Sequence, residues 1–216
     1  MIKAKEESWG AFLLELLVLV LIALFIRFYV FQFFRVSGPS MCPTLNELEE
    51  GCLDSKGEFI FVNELLYQLR EPRRGEIVVF RPPNKQVYYV KRVMAVAGDR
   101  IDVKNGEVYF SNESQGLEQE RLKESYLSEK NQGQTTSSQE TFEIPKGYFL
   151  LFGDNRLKSL DARQCFVRGG CESGIATPYV PIKNIVGRAE FVVWPVWMMR
   201  DLDNDPFELY EKSERK

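Results

Sequence analysis

Residues 86–110 read QVYYVKRVMAVAGDRIDVKNGEVYF. Residues 86–99 form an apolar run rich in β-branched and aromatic residues that stops at Gly98-Asp99, which is strand composition. In 100–110, Asn105-Gly106 stands between two strand-like pieces, and that dipeptide suits the two positive φ angles of a tight hairpin turn. A long strand followed by a hairpin points to antiparallel β structure.

The flanking sequence extends this pattern. GEIVVFRPP (75–83) is a short strand stopped by paired prolines, and GYFLLFGD (147–154) and NIVGRAEFVVWPV (184–196) are further strands. NELLYQLREP (63–72) predicts a short helix ended by Pro72. The expectation is a mostly β chain, with an antiparallel β domain over residues 36–200. Residues 111–140 are polar and poor in aliphatics, which predicts a surface insertion or mobile loop. The acidic stretch 201–216 is expected to be a solvated tail.

Before the β region, WGAFLLELLVLVLIALFIRFYVFQFF (9–34) is apolar apart from Glu15, Arg27 and Gln32. About 20 helical residues cross a bilayer core, and residues 11–30 supply that length, with aromatics at both ends. No Ala-x-Ala-like cleavage site follows the run. Residues 1–35 are therefore expected to be a short tail and a retained transmembrane anchor. FVVWPVWMMR (191–200) is either an interfacial segment or an ordinary buried strand, since Trp194 and Trp197 suit a membrane surface.

Composition narrows the chemistry. The 216 residues include no histidine and carry a formal charge of −3. Without an imidazole, Ser-His-Asp and Cys-His catalysis cannot operate within the chain. The mild acidity argues against an electrostatic nucleic-acid binder, and no Cys-x-x-Cys zinc spacing occurs, so no metal or cofactor is expected. Cys42, Cys52, Cys165 and Cys171 allow three pairings that sequence cannot choose between; Cys165 and Cys171 flank a Gly-rich segment that a small disulfide loop could close.

One serine is tightly constrained: Ser40, in VSGPSMCPTL (36–45). A base for it has to be a lysine, a carboxylate or an amine. Lys91 stands out, because it lies inside the apolar strand with Arg92 on the opposite face. Lysine titrates near about 10.4 in water and is then a poor base at pH 7; a two-unit drop on burial costs roughly 2.7 kcal/mol. The bland reading is an edge strand whose cations reach water.

Four blocks in order, SGPSMCPTL (37–45), RRGEIVVFRPP (73–83), YYVKRVMAVAGDRI (88–101) and LFGDNRLKSLDAR (151–163), give the chain its resemblance to bacterial type I signal peptidases, the membrane-anchored Ser-Lys endopeptidases of family S26. The resemblance implies Ser40 as nucleophile and Lys91 as general base, with Ser159 orienting the lysine amine. Asp161 and Arg163 match a supporting ion pair, Asp154, Asn155 and Arg156 match the loop that carries these groups, and Asp99 is structural. Where some members have a serine whose hydroxyl helps the oxyanion hole, this chain has Gly38, so the backbone N–H groups of Ser40 and Gly38 are the expected donors.

The implied substrates are exported preproteins with Ala-x-Ala-like sites, bound as extended strands, with the lipid bilayer and, indirectly, the export machinery as partners. The implied location is the cell membrane, with one span, a cytoplasmic N-terminus and an extracytoplasmic catalytic domain. A catalytically silent, membrane-tethered binding paralogue would share the fold without needing Ser40 and Lys91 together. A soluble self-cleaving repressor would need a DNA-binding domain that residues 1–35 cannot supply.

Overall fold

The computed structural model describes residues 9–48, 51–83, 85–167, 171, 177–202 and 208–209, with the side chains of 25–29 and 208–209 left aside. The N-terminal tail and most of the acidic C-terminal stretch lie outside the described residues. In chain order the elements are helix α1 (Trp9–Tyr29), strands β1 (Phe31–Ser37), β2 (Glu47–Leu48), β3 (Gly51–Cys52) and β4 (Lys56–Asn63), and helix α2 (Leu66–Leu69). Strands β5 (Ile77–Phe80), β6 (Tyr89–Ala95), β7 (Arg100–Lys104), β8 (Glu107–Asn112), β9 (Leu117–Lys123) and β10 (Thr141–Glu143) follow. The last are β11 (Tyr148–Phe152), β12 (Tyr179–Pro181), β13 (Ile185–Trp194), β14 (Arg200–Asp201) and β15 (Glu208–Leu209).

The architecture is mostly β. The larger sheet runs β1-β4-β13-β5-β6-β11-β12 with β14 on β13, the second runs β10-β7-β8-β9-β15, and β2-β3 is a small hairpin. The described strand pairs of these sheets are antiparallel. Asn105 (φ 53°) and Gly106 (φ 83°) make the β7–β8 turn, as the Asn-Gly dipeptide requires.

Strand β5 explains how one sheet serves two cores. All four of its residues are buried. Val78 and Phe80 join a cluster with Val93, Phe110, Phe142 and Phe152 from both large sheets. Ile77 and Val79 join the other cluster, with Ile60, Val62, Met41 and Leu45. The period of two sends alternate side chains to opposite faces. Met41 and Leu45 flank the turn just after Ser40, so the second core holds the serine segment against the sheet.

Three departures from the sequence reading concern secondary structure. Phe31–Ser37, read as the aromatic end of an anchor and its linker, is a strand paired with β4 from Phe31↔Asn63 to Ser37↔Lys56; aromatic residues serve strands as well as they serve interfaces. The β4 strand itself went unread. The helix predicted over 63–72 is only Leu66–Leu69, because Asn63 belongs to β4 and its Oδ1 accepts from Leu66 N.

Helix α1 is 21 residues long, and its described side chains are exposed, Leu14 and Leu19 among them. Among the described residues, no helix is long and apolar enough to cross a membrane. A transmembrane span over 11–30 is thus not established by the fold.

The polar segment 111–140 is folded into the molecule. It carries β9, and Leu122, Leu127, Asn131 and Thr135 are buried. Three of its side chains, Glu124, Tyr126 and Thr135, meet the buried Arg156, while Glu129 and Lys130 among others stay exposed.

Candidate active site

Strand β1 ends at Ser37, and Gly38 turns the chain with φ +85°, a value that favours glycine. Ser40 follows Pro39 in this turn. Its carbonyl accepts from Asn155 N at 3.1 Å, and Cys42 N donates to Pro39 O at 3.1 Å. The segment is tied further by a disulfide from Cys42 to Cys52 in β3. A second disulfide joins Cys165 and Cys171. The serine backbone is therefore held from both sides while its hydroxyl is left to face the lysine.

Lys91 lies in β6 opposite Val78 of β5, and only 3% of it is exposed. Its Nζ is 2.7 Å from Ser40 Oγ, 2.8 Å from Val90 O and 5.5 Å from the centre of the Tyr89 ring. Burial pushes the amine down to about 8; the Arg163 charge acts the same way, while the carboxylates of Asp161 and Asp154 oppose it. The edge-strand reading, with both cations in water, is overturned by this burial. At pH 7 roughly a tenth of such an amine is neutral, against well under a thousandth for an unperturbed lysine.

Around the pair sit buried ions, each answered. Arg92 is fully buried and grips Asp154 with two bonds (Nε–Oδ1 3.0 Å, Nη2–Oδ2 2.8 Å). Thr44, four residues past Ser40, donates its hydroxyl to the same carboxylate at 2.5 Å. Arg163 holds Asp161 in the same fashion (Nε–Oδ1 2.9 Å, Nη2–Oδ2 2.8 Å). Burial would raise the Asp161 pKa, but the Arg163 charge, with hydrogen bonds that include Gly153 N, outweighs it and keeps the carboxylate ionised.

Gly153 sits where the block meets the nucleophile. A Cβ there would fall 2.1 Å from Ser159 Oγ and 2.4 Å from Ser40 O, so no side chain fits. Arg156 Nε donates to the Gly153 carbonyl at 3.2 Å. Arg156 is itself answered by the polar segment: by Glu124, by Thr135 Oγ1 at 2.8 Å and by Tyr126 OH at 3.0 Å. Tyr126 also lies under the Arg92 guanidinium at 4.2 Å, and Asn131 Oδ1 accepts from Leu157 N at 3.1 Å. Sequence reasoning missed Glu124, Thr44 and Tyr126. The available signal was three arginines, 92, 156 and 163, within otherwise buried blocks that contain too few carboxylates of their own.

The remaining expected residues fall out as follows. Gly38 is an unsuitable oxyanion donor here, because its N–H already donates to Ser55 O at 3.0 Å. Ser159 is buried beside Gly153, and its hydroxyl makes no hydrogen bond among the described residues, to Lys91 Nζ or to any other group. Asp99 is bound by Arg74 and Asn112 and caps the turn through Val96 N, away from the dyad.

Ser40 and Lys91 line a cleft of about 390 Å³. Phe34–Ser37 of β1 forms one wall and Tyr88–Val90 the other, with Lys158 and Leu160 at the near end. Two extended segments facing each other across a serine-lysine pair describe a site for an extended peptide. The family described as "Signal peptidase, peptidase S26" matches this chain over residues 9–194. The chain belongs to the signal peptidase family, peptidase S26. It is a serine endopeptidase, in a family whose work is signal-peptide removal.

Named relatives agree. Signal peptidase I of Bacillus caldolyticus is 33% identical over 208 residues, covering 90% of this chain and 96% of its own. Signal peptidase I T of Bacillus subtilis (strain 168) is 30% identical over 199 residues, with 89% and 88% covered. Signal peptidase I of Bacillus amyloliquefaciens is 29% identical over 205 residues, with 92% of each chain covered. A crystal structure of a signal peptidase I from Enterococcus faecalis V583 is 19% identical and superposes with a TM-score of 0.38 over 55% of this chain and 97% of that one.

Proposed function

We propose that this signal peptidase removes signal peptides from exported preproteins by Ser-Lys catalysis, with Ser40 as nucleophile and Lys91 as general base. The observation that carries the reading is the buried amine 2.7 Å from the serine hydroxyl in a histidine-free chain. Neutral Lys91 accepts the Ser40 proton as Oγ attacks the scissile carbonyl. Negative charge collects on the carbonyl oxygen, and the Ser40 N–H, which donates to no described group, is the donor best placed to meet it. The C–N bond breaks, the Lys91 ammonium returns its proton to the leaving amine, and an acyl-enzyme is left on Ser40. Water, giving a proton to the again neutral Lys91, hydrolyses the ester and frees Ser40. Asp161–Arg163 and Asp154–Arg92 keep the block in place and set the field at the amine. No step calls for a metal or an organic cofactor.

We further place the enzyme at the cell membrane, held by residues 9–29 with the N-terminus cytoplasmic and the catalytic domain outside. What supports this is surface chemistry. Helix α1 leaves its described apolar side chains uncovered, Phe33 is exposed in β1, and Phe191, Trp194, Trp197 and Met199 are exposed in and just after β13. Phe31, Phe33, Phe61 and Phe191 form a connected series of rings with centroids 5.0–5.8 Å apart on neighbouring strands. Indoles and phenyl rings of this kind settle at the headgroup level of a bilayer.

Two measurements test the proposal. In a preprotein cleavage assay, the purified wild type should release the mature protein while Ser40→Ala, removing only an oxygen, should release none; normal cutting by that variant removes Ser40 from the mechanism. For the anchor, membranes washed at alkaline pH should retain the full-length protein. Its quantitative recovery in the supernatant would rule out a span.

A further inference from the structure

The charges at the mouth of the cleft have one sign. Arg35, Lys91 and Lys158 line it, and no carboxylate is among the described lining residues. Lys91 is buried against Ser40. Arg35 turns its guanidinium onto the carbonyls of Lys56 and Gly57 at 3.4 Å and over the Phe59 ring at 5.3 Å. Lys158 is different. Its backbone is fixed, since its N–H donates to Asn155 O at 3.2 Å, and Asn155 in turn donates to Ser40 O at 3.1 Å. Its side chain is 58% exposed and, among the described residues, its ammonium meets only Asp54, itself 72% exposed, at 3.8 Å. An exposed pair at that distance is weak and readily exchanged.

Resting on the peptidase reading above, we infer that Lys158 is a specificity residue: it selects a substrate with an acidic side chain close to the scissile bond, and Asp54 occupies the lysine until that carboxylate arrives. The stem of Lys158 is held in register with the nucleophile while its charge remains available, which is what a selecting group needs. Asp54 lies just beyond β3, whose Cys52 is bridged to Cys42, so the placeholder carboxylate is fastened to the nucleophile segment.

The test uses the full-length protein and peptides spanning an Ala-x-Ala site, with Glu, Gln or Lys placed singly at each position within three residues of the cut. The readout is kcat/KM for the Glu peptide divided by that for the Lys peptide, so any general loss of activity cancels. At one position wild type should favour Glu by about fivefold, the size expected of an exposed ion pair, and added salt should erase the preference. Lys158→Glu should invert the ratio, Lys158→Gln should bring it near one, and Asp54→Asn should raise it. Should the charge reversal not fold, the Gln variant reads the same ratio. No preference at any position in wild type, or an unchanged ratio in the Lys158 variants, overturns the inference while leaving the peptidase reading intact. Failure of wild type to cut any peptide overturns both.

Discussion

Lys91→Met is expected to give a folded, inactive and more stable protein. Burial holds the folded amine at about 8 against 10.5 for the free group. The folded value is the lower one, so the fold penalises the ammonium. That penalty is present in full below about 8 and disappears as pH rises through the window from about 8 to 10.5, where the unfolded chain still binds the proton and the folded chain does not. The gap corresponds to about 3 kcal/mol. Methionine keeps the length and drops the charge; after allowing for the lost bonds to Ser40 and Val90, a gain of about 1–3 kcal/mol at pH 7 remains. Denaturant unfolding should show the variant ahead at pH 7 and the advantage shrinking by pH 10. Loss of a general base removes about 10²–10⁴ in rate, and wild-type kcat/KM should climb with pH until about 8 and then level off. A variant cutting at the wild-type rate would falsify the role given to Lys91.

Asp161→Asn should have the opposite effect on stability and a diagnostic effect on pH dependence. Both side chains of the Asp161–Arg163 pair are fully buried. Neutralising one leaves a guanidinium uncompensated, which costs roughly 3–5 kcal/mol. The Asp161 charge raises the Lys91 pKa and the Arg163 charge lowers it. Removing the first leaves only Asp154 to oppose the second, so the acidic limb of the pH–rate profile should move below its wild-type position near about 8. Loss of structure alone would reduce the amount of active enzyme without moving that limb. A limb that stays put, or moves up, sinks the electrostatic coupling.

The proposed pair, Ser40 and Lys91, stands out in the sequence because each carries a local oddity: a serine locked between Gly38-Pro39 and Pro43, and a cation within an apolar strand. The hairpin at Asn105-Gly106 was legible from its turn chemistry. Phe31–Ser37 was not, since the same rings satisfy a bilayer interface and a half-buried strand. Gly38 was misjudged as a donor because its N–H partner, Ser55, depends on the path of a loop that no local signal fixes. Segment 111–140 was read as solvent-facing from its polarity, yet Glu124, Tyr126, Asn131 and Thr135 face buried arginines and backbone. Composition reports what a segment can bond, not whether water or protein supplies the partner.

The Arg156–Glu124 contact has a consequence for the newborn chain. The proposed nucleophile and base, the Glu124 counter-ion and the ionic block are supplied from positions 40, 91, 124 and 154–163, and the bond from Asn155 N to the Ser40 carbonyl forms only when the last of these has docked. A growing polypeptide therefore lacks the completed site until most of its length has been synthesised.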